Sequence, residues 1–215
     1  RGFVARGRIE MLDSAIRRVV SINGCYWPEA LDSIKNTFEY DSEDIKQEAT
    51  DALNNWLELL SPDEAELPEK LKILVTNPPW EHHKDEDGHY VDVAAENAKV
   101  LATELSHNIE ELLPHLGLLL QGEQKQSYAF GHQLAHDLTD VVPILGLALE
   151  CLVAIEKPDS RLVLGLYRGL LEQSPELWQE NIDRLVADEK LVHLYPDFIR
   201  TGDIKKAHLD NLLEL

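Results

Sequence analysis

The chain has 215 residues, of which 44% are hydrophobic and 28% are charged, the composition of a globular protein with a sizeable core. Acidic residues outnumber basic residues 40 to 20, so the formal net charge is -20. This charge repels phosphate groups, and no apolar run reaches the roughly 18–20 residues that cross a bilayer. We therefore expect neither nucleic acid nor a membrane as a partner.

The basic residues at the start are an exception to this acidic character. Residues 1–8 contain Arg1, Arg6 and Arg8 and are predicted to form a basic tail. Because the chain begins with arginine, we expect it to be part of a longer protein. Cys25 and Cys151 form no Cys-x-x-Cys pair, so we interpret them as reduced, buried side chains of a cytoplasmic protein.

Apolar residues at three- and four-residue spacing predict helices through residues 9–75. The first predicted helix covers 9–22, and the second begins at Pro28. The third is predicted from an apolar stripe that runs from Ile45 to Leu60. These segments are interpreted as a set of N-terminal helices.

The tetrapeptide Asn77-Pro78-Pro79-Trp80 follows the apolar segment Leu71–Val75, which has the composition of a short strand. An Asn-Pro-Pro-aromatic sequence after a strand resembles the catalytic motif of amino-group DNA methyltransferases, where the aromatic ring stacks on a flipped base. That family also needs a glycine-rich cofactor loop, and the sequence contains none. We therefore favour a proline-rich turn between helices, with Trp80 packed as an anchor.

Residues 76–90 are predicted to form a polar surface loop. This loop contains side chains that bind zinc, nickel or manganese in other proteins, namely His82, His83, Asp85, Asp87 and His89. A calcium loop fails on register, because Gly88 as its sixth residue would place Ala94 where a bidentate glutamate is required. The favoured interpretation is a solvated acidic loop without a bound metal.

Small residues recur in pairs on the helices of residues 91–215: Ala98/Ala102, Gly131/Ala135 and Gly165/Gly169, at offsets of 33 and 34 residues. Apolar helices are predicted between them, over 108–121 and 140–156. This pattern predicts an all-α, solenoid-like stack of helical hairpins of the TPR or HEAT type, without a sheet and continuous with residues 9–75 as one array. An irregular all-α domain is the alternative.

His132 and His136 lie four residues apart and share a helix face, the spacing of a metal-binding histidine pair. Asp137 and Asp140 are the further candidate ligands. The segment resembles the His-Glu-x-x-His helix of zinc peptidases, but Gln133 replaces the glutamate that acts as the general base. We favour two histidines bordering a packed helix, and a metal-dependent hydrolase using them is the alternative.

Motifs for other chemistry are missing from the sequence, which has no phosphate-binding P-loop, no Gly-x-Gly-x-x-Gly and no Gly-x-Ser-x-Gly elbow. We therefore assign no catalytic or cofactor-binding residue and expect no cofactor. Exposed aromatic residues often anchor protein partners, and our candidates for this role are Trp80, Tyr90 and Trp178.

The segment from Asn77 to the end includes NPPWEHHKDEDGHYVDVAAENAKVLATEL, YAFGHQLAHDL and LVLGLYRGLLEQSPELWQENIDRLVADEKLVHLYPDFIRTGDI. It is similar to the C-terminal helical-repeat regions of large bacterial multidomain proteins. Among these are the antiviral STAND ATPases, whose repeats recognise phage proteins and trigger an effector. The resemblance implies a sensing or scaffolding part without catalytic residues, because the ATPase motifs are absent from this sequence.

The sequence as a whole predicts a non-catalytic helical-repeat module that binds a partner protein in the cytoplasm. Because the module is strongly acidic, the expected partner has a basic surface. A structural spacer between domains of a larger protein is a further alternative, and the oligomeric state is left open.

Overall fold

The structure, a computed structural model, describes residues 8–41, 45–61, 65–85 and 87–214. Apart from Arg8, the predicted basic tail lies outside the described residues. These ranges contain twelve α-helices and one small hairpin, so the prediction of a mainly helical fold is confirmed. The chain divides into two compact units, Arg1–Ala94 and Ala95–Leu215.

Among its described residues, the first unit contains four α-helices, of which the first three agree with the apolar stripes predicted over 9–22, after Pro28 and from Ile45 to Leu60. Leu53, Trp56 and Leu60 are at most 2% exposed and form the centre of its core. The indole Nε1 of Trp56 donates a hydrogen bond to Asp13 Oδ1 at 3.0 Å, which satisfies the ring's polar atom inside the core. The helices are α1 (Ile9–Asn23), α2 (Pro28–Asp41), α3 (Gln47–Leu59) and α4 (Leu67–Leu71).

The apolar segment Leu71–Val75 is helical, in agreement with the predicted helices of residues 9–75, and is not the strand that the methyltransferase alternative requires. A π-helical turn, Lys72–Thr76, continues directly from α4 and ends where the Asn77 N–H donates to the Lys72 carbonyl at 3.0 Å. Ile73 and Val75 are buried in it. The strand that precedes the methyltransferase motif is therefore absent at this position.

A two-stranded antiparallel hairpin follows, in which β1 (His82–Lys84) pairs with β2 (Tyr90–Asp92). The prediction of a chain without a sheet is wrong at this one place. Each strand has only three residues, too few for an alternating apolar pattern to be recognised. The turn between them uses Gly88 at φ +83°, a conformation that favours glycine.

The second unit contains the remaining helices and three short 3₁₀ segments. The expected helix over 108–121 begins as one α-helical turn and continues as 3₁₀-helix, because Pro114 lacks the N–H that an α-helix needs. The α-helices are α5 (Val93–Ser106), α6 (Ile109–Leu112), α7 (Ser127–Asp137), α8 (Val142–Ala154), α9 (Arg161–Gln173), α10 (Pro175–Ala187), α11 (Tyr195–Phe198) and α12 (Lys206–Glu214). The 3₁₀ segments are Leu113–Leu120, Val192–Leu194 and Ile199–Thr201.

Helices α7 and α9 touch through their backbones at the predicted small residues. A Cβ atom added to Gly165 would lie 2.3 Å from the Tyr128 carbonyl oxygen, and one added to Gly131 would lie 2.4 Å from the Leu162 carbonyl oxygen. A Cβ atom on Gly169 would lie 2.4 Å from the Ala135 Cβ. The small residues of the second and third copies therefore mark the closest helix–helix approach of this unit.

Side-chain hydrogen bonds join the helices of this unit at their ends. The Gln173 amide on α9 donates to the carbonyls of Ala135 at 2.7 Å and Leu138 at 2.9 Å, which closes the C-terminus of α7. Thr103 Oγ1 on α5 donates to Asp137 Oδ2 at 2.5 Å. Helix α8 packs on the 3₁₀ segment Leu113–Leu120, in which Leu116, Leu119 and Leu120 are buried.

Candidate partner-binding site

The hairpin is held at its base by polar contacts to helix α2. The backbone N–H of Trp80 donates to Asp32 Oδ1 at 2.9 Å, and the Lys35 ammonium pairs with the Glu81 carboxylate. The Val93 N–H donates to the Glu81 carbonyl at 3.1 Å where the chain leaves the hairpin. Backbone hydrogen bonds and an ion pair thus fix the backbone on either side of the Trp80 side chain.

The turn of the hairpin is ordered by one carboxylate. Asp85 Oδ1 accepts hydrogen bonds from the N–H groups of Asp87 at 3.0 Å and His89 at 2.8 Å. The Asp85 N–H donates to the His89 carbonyl at 2.9 Å, which continues the strand pairing into the turn. This Asx-type turn closes the hairpin around Gly88.

Two large aromatic side chains of the hairpin are exposed to solvent, Trp80 to 78% and Tyr90 to 69%. His82 lies between them, with its ring centroid 6.0 Å from that of Trp80 and 5.2 Å from that of Tyr90. We call Trp80, His82 and Tyr90 the aromatic face. An exposed tryptophan on a fixed backbone is a typical anchor for a protein partner.

Lys84 extends the aromatic face at its far end. Its ammonium nitrogen lies 5.1 Å from the centroid of the Tyr90 ring, a cation–π contact. His82 and Lys84 were not predicted to belong to this surface. Their signal was the two-residue spacing of Trp80, His82 and Lys84, which places alternate side chains on one side of an extended chain.

Trp178 is the third predicted partner-binding residue. It is buried, so the prediction that it is an accessible anchor is wrong. It is 2% exposed on α10, and its Nε1 donates to Thr201 Oγ1 at 2.9 Å. The ring of His208 packs edge-on against it with centroids 5.7 Å apart. Its indole is therefore used inside the second unit and is not presented to a partner.

The two histidines of α7 have separate carboxylate partners. His132 Nε2 lies 2.8 Å from Glu172 Oε2 on α9, and His136 Nδ1 lies 2.9 Å from the adjacent Asp137 Oδ1. The hydrogen bond from His132 lowers the pKa of Glu172. Burial opposes this effect, and the hydrogen bond from Arg168 adds to it. The two imidazoles thus form hydrogen-bond contacts to different carboxylates, His132 between helices α7 and α9 and His136 within α7.

Asp137 is the most perturbed of the candidate metal ligands. Burial alone would raise the pKa of its carboxyl, but hydrogen bonds from Gln133, His136 and Thr103 outweigh burial and lower its pKa to about 2. Asp140 lies apart from this network and accepts a hydrogen bond from the Val142 N–H at 3.1 Å, at the start of α8. The network connects helix α5 to helix α7.

Potential metal ligands converge in one other place, the turn of the hairpin. Within the described ranges, Asp85, Asp87 and His89 form a group of three potential ligands. One carboxylate oxygen or imidazole nitrogen from each lies within 4.8 Å of the others, and all three residues are exposed. His132, His136 and the neighbouring aspartates do not form such a group there. The predicted alternative of a shared metal on α7 thus lacks support from the geometry.

A second acidic surface lies in the first unit, between α1 and α3. It is an open groove of about 560 Å³ whose lining includes four carboxylates and one arginine: Glu10, Asp13, Glu48, Asp51 and Arg17. The hydrogen bond from Arg17, together with that from Trp56, lowers the pKa of Asp13. This groove was not predicted, because its carboxylates come from helices that are distant in sequence.

Comparison with known proteins gives no relative from which a function can be transferred. No family model, no curated protein and no solved structure matches this chain. Among the described helices, none has both the length and the apolar character required to span a membrane.

Proposed function

We propose that this chain is a helical-repeat module that binds a partner protein, with Trp80 and Tyr90 as its anchors. The observation that carries the proposal is the aromatic face, on which two large rings are mostly exposed while the backbone beneath them is fixed by Asp32 and Lys35. Aromatic residues on a preorganised backbone lose little conformational entropy when a partner covers them.

The packing of the second unit supports the repeat part of the proposal. Helix α7 packs on α9, each carrying a pair of small residues, and α8 packs on the 3₁₀ segment Leu113–Leu120. Contacts of this kind are what a solenoid requires between equivalent elements of successive hairpins. The bond from Thr103 to Asp137 connects α5, which carries the first pair of small residues, to the same stack.

The charge of the chain supports a partner with a basic surface. With a formal net charge of -20, long-range attraction accelerates the encounter with a positively charged protein. Salt screens this attraction, so the association rate is expected to fall as ionic strength rises.

Photo-crosslinking tests the proposed docking surface. Benzoylphenylalanine is placed at Trp80 or Tyr90 of the full-length protein in its native cells, with Met11 on α1, which is 51% exposed, as the matched control. We expect the same partner adduct from positions 80 and 90 and none from position 11. The purified complex is expected to weaken roughly tenfold or more in Trp80→Ala and to associate more slowly at high salt.

The proposal is rejected if positions 80 and 11 give the same adducts. It is also rejected if Trp80→Ala leaves the affinity of the reconstituted complex unchanged and salt leaves its association rate unchanged. A structural spacer gives a different result. It yields no adduct at any of the three positions, while its deletion disturbs assembly of the parent protein.

We further propose that the module is the partner-sensing or scaffolding part of a larger bacterial protein, with antiviral defence as its setting. This extension depends on the resemblance to repeat regions of STAND ATPases. The neighbouring coding sequence tests it. A nucleotide-binding core in the same polypeptide supports a sensor, whereas a complete reading frame without one favours an independent adaptor.

A further inference from the structure

The aromatic face and the acidic residues around it indicate which group of a partner is recognised. Building on the docking function proposed above, we propose that the rings of Trp80, His82 and Tyr90 together receive one cationic side chain, the guanidinium of an arginine or the ammonium of a lysine, from the partner protein.

The register of the hairpin places these three rings on one side. His82 is directly opposite Asp92, and Lys84 is directly opposite Tyr90. Side chains of directly opposed residues emerge on the same side of an antiparallel pair, and so do those two residues apart in a strand. The rings of the aromatic face therefore share their side of the hairpin with the Asp92 carboxylate, while Val91 faces the other side and is half-buried.

Lys84 shows that the Tyr90 ring accepts a cation. Its ammonium nitrogen already lies 5.1 Å from the Tyr90 centroid. The larger indole of Trp80 is the stronger cation–π acceptor of the two ring types. In the part of the chain that the structure describes, no lysine or arginine of the protein itself lies over that indole.

The charge around the rings favours a cation over an apolar or acidic group. Residues 81–92 contain five carboxylate side chains and a single lysine. An aliphatic side chain would gain only apolar contact from this surface, and an acidic one would be repelled by it. A cation gains from both the ring faces and the carboxylates.

Nuclear magnetic resonance of the full chain tests the assignment, with acetylated tetra-arginine amide as the probe and acetylated tetraglutamine amide as the neutral control. The indole N–H signal of Trp80 is assigned from Trp80→Phe. We expect a saturable shift of this signal with tetra-arginine and none with tetraglutamine. The buried indoles of Trp56 and Trp178 serve as internal references that do not shift.

Variants locate the binding site. Trp80→Leu and Tyr90→Leu are expected to weaken tetra-arginine binding, followed at the remaining hairpin signals, by roughly three- to tenfold. Tyr40→Leu removes another exposed aromatic residue of the first unit and is expected to leave the affinity unchanged. Because Trp80 and Tyr90 are exposed, an unchanged spectrum of the core is expected to show that the leucine variants fold.

Lys84 provides a test in the opposite direction. Lys84→Gln frees the Tyr90 ring and is expected to tighten binding by more than Lys125→Gln, which removes the same charge from the second unit. Equal tightening by the two variants would show that only overall charge matters and would overturn the assignment.

The assignment is also overturned if Trp80→Leu binds tetra-arginine as tightly as the unaltered chain, or if tetraglutamine shifts the Trp80 signal equally. These results differ from a failure of the docking function. Binding of the cross-linked partner could still require Trp80 while the leucine variants bind tetra-arginine with unchanged affinity. In that case the surface docks proteins through apolar contact, and only the cation assignment fails. If neither depends on Trp80, both proposals fail.

Discussion

Gly165 is the residue on which the contact between α7 and α9 depends most directly. We predict that Gly165→Ala destabilises the protein by about 1–3 kcal/mol, because its new methyl group would meet the Tyr128 carbonyl and the His132 N–H. The gain in helix propensity, about 1 kcal/mol, offsets only part of this overpacking. Urea unfolding followed by circular dichroism measures the change.

Gly146 is the matched control for this prediction. It lies in α8, is exposed, and has no atom within 4 Å of an added Cβ. Gly146→Ala is therefore expected to stabilise the protein by about 0.5–1 kcal/mol. If both alanine variants are stabilised, the backbones of α7 and α9 are further apart than the structure shows.

His208 is a buried histidine that holds the C-terminal helix α12. It is 1% exposed, its Nδ1 accepts a hydrogen bond from the Lys205 N–H at 3.1 Å, and its Nε2 lies 3.0 Å from Gln179 Oε1. These contacts require a neutral ring with its proton on Nε2. Burial, followed by the Lys205 ammonium, lowers the pKa of His208 from its ordinary value of 6.5, and the Asp183 carboxylate opposes this only in part.

The lowered pKa predicts that acidification weakens the fold. Because the unfolded chain binds a proton at His208 more readily than the folded chain does, the stability contributed by this residue is complete above pH 6.5 and is lost as pH falls below it. We expect His208→Asn to lower stability by about 1–3 kcal/mol at pH 7.5 and to flatten its dependence on pH between 7.5 and 5.5. Urea unfolding at several pH values measures both effects.

Exposed His193 supplies the comparison, since His193→Asn removes a histidine outside the buried network. This variant is expected to keep the pH dependence of the unaltered protein. A profile for His208→Asn as steep as that of His193→Asn would assign the pH dependence to other groups.

At the scale of elements, Asp137 connects α5 to α7. Its folded pKa of about 2 lies below the ordinary value of 3.8, which corresponds to a stabilisation of about 2 kcal/mol above pH 5. Asp137→Asn is therefore expected to destabilise the protein by about 1–2 kcal/mol at pH 7. The difference is expected to shrink between pH 5 and pH 3, because the unaltered carboxyl loses its stabilising contribution as pH falls toward 2.

Guanidinium unfolding at pH 7, 5 and 3 measures this difference. Exposed Asp203 is the control position, and Asp203→Asn is expected to change stability by less than about 0.5 kcal/mol at every pH. A constant cost for Asp137→Asn from pH 7 to pH 3 would contradict an ionised, hydrogen-bonded Asp137.

The elements differ in how well the sequence predicts them, for physical reasons. The close contact of α7 and α9 was predictable, because Gly131 and Ala135 on one helix and Gly165 and Gly169 on the other are pairs of small residues four positions apart. Such pairs share a helix face and allow a neighbouring backbone to approach closely. The hairpin was not, because its three-residue strands are stabilised by the turn at Asp85 and by contacts to α2 that are distant in sequence. The expected exposure of the predicted partner-binding residues was also only partly correct. The positions of Trp80 and Trp178 in the sequence do not reveal that the first is exposed and the second is buried.

At the scale of the whole molecule, each of the two units has an apolar core of its own. The first centres on Trp56, and the second contains Phe130, Tyr167 and Phe198, all fully buried. The Tyr167 ring packs on Phe198 with centroids 5.0 Å apart, so the segment after α9 completes the second core. A unit with a complete core of this size is expected to fold without the rest of the chain.

We therefore predict that residues 93–215, beginning at the first residue of α5, fold as an isolated fragment. The fragment is expected to show a helical circular-dichroism spectrum and a cooperative thermal transition. Residues 93–173 lack Phe198, which packs on Tyr167, and also lack the buried Trp178, so this shorter fragment is expected to unfold without cooperativity. If 93–215 is unstructured while the full chain unfolds in one two-state transition, the two units share a single cooperative core, and the division at residue 94 does not separate independent folding units.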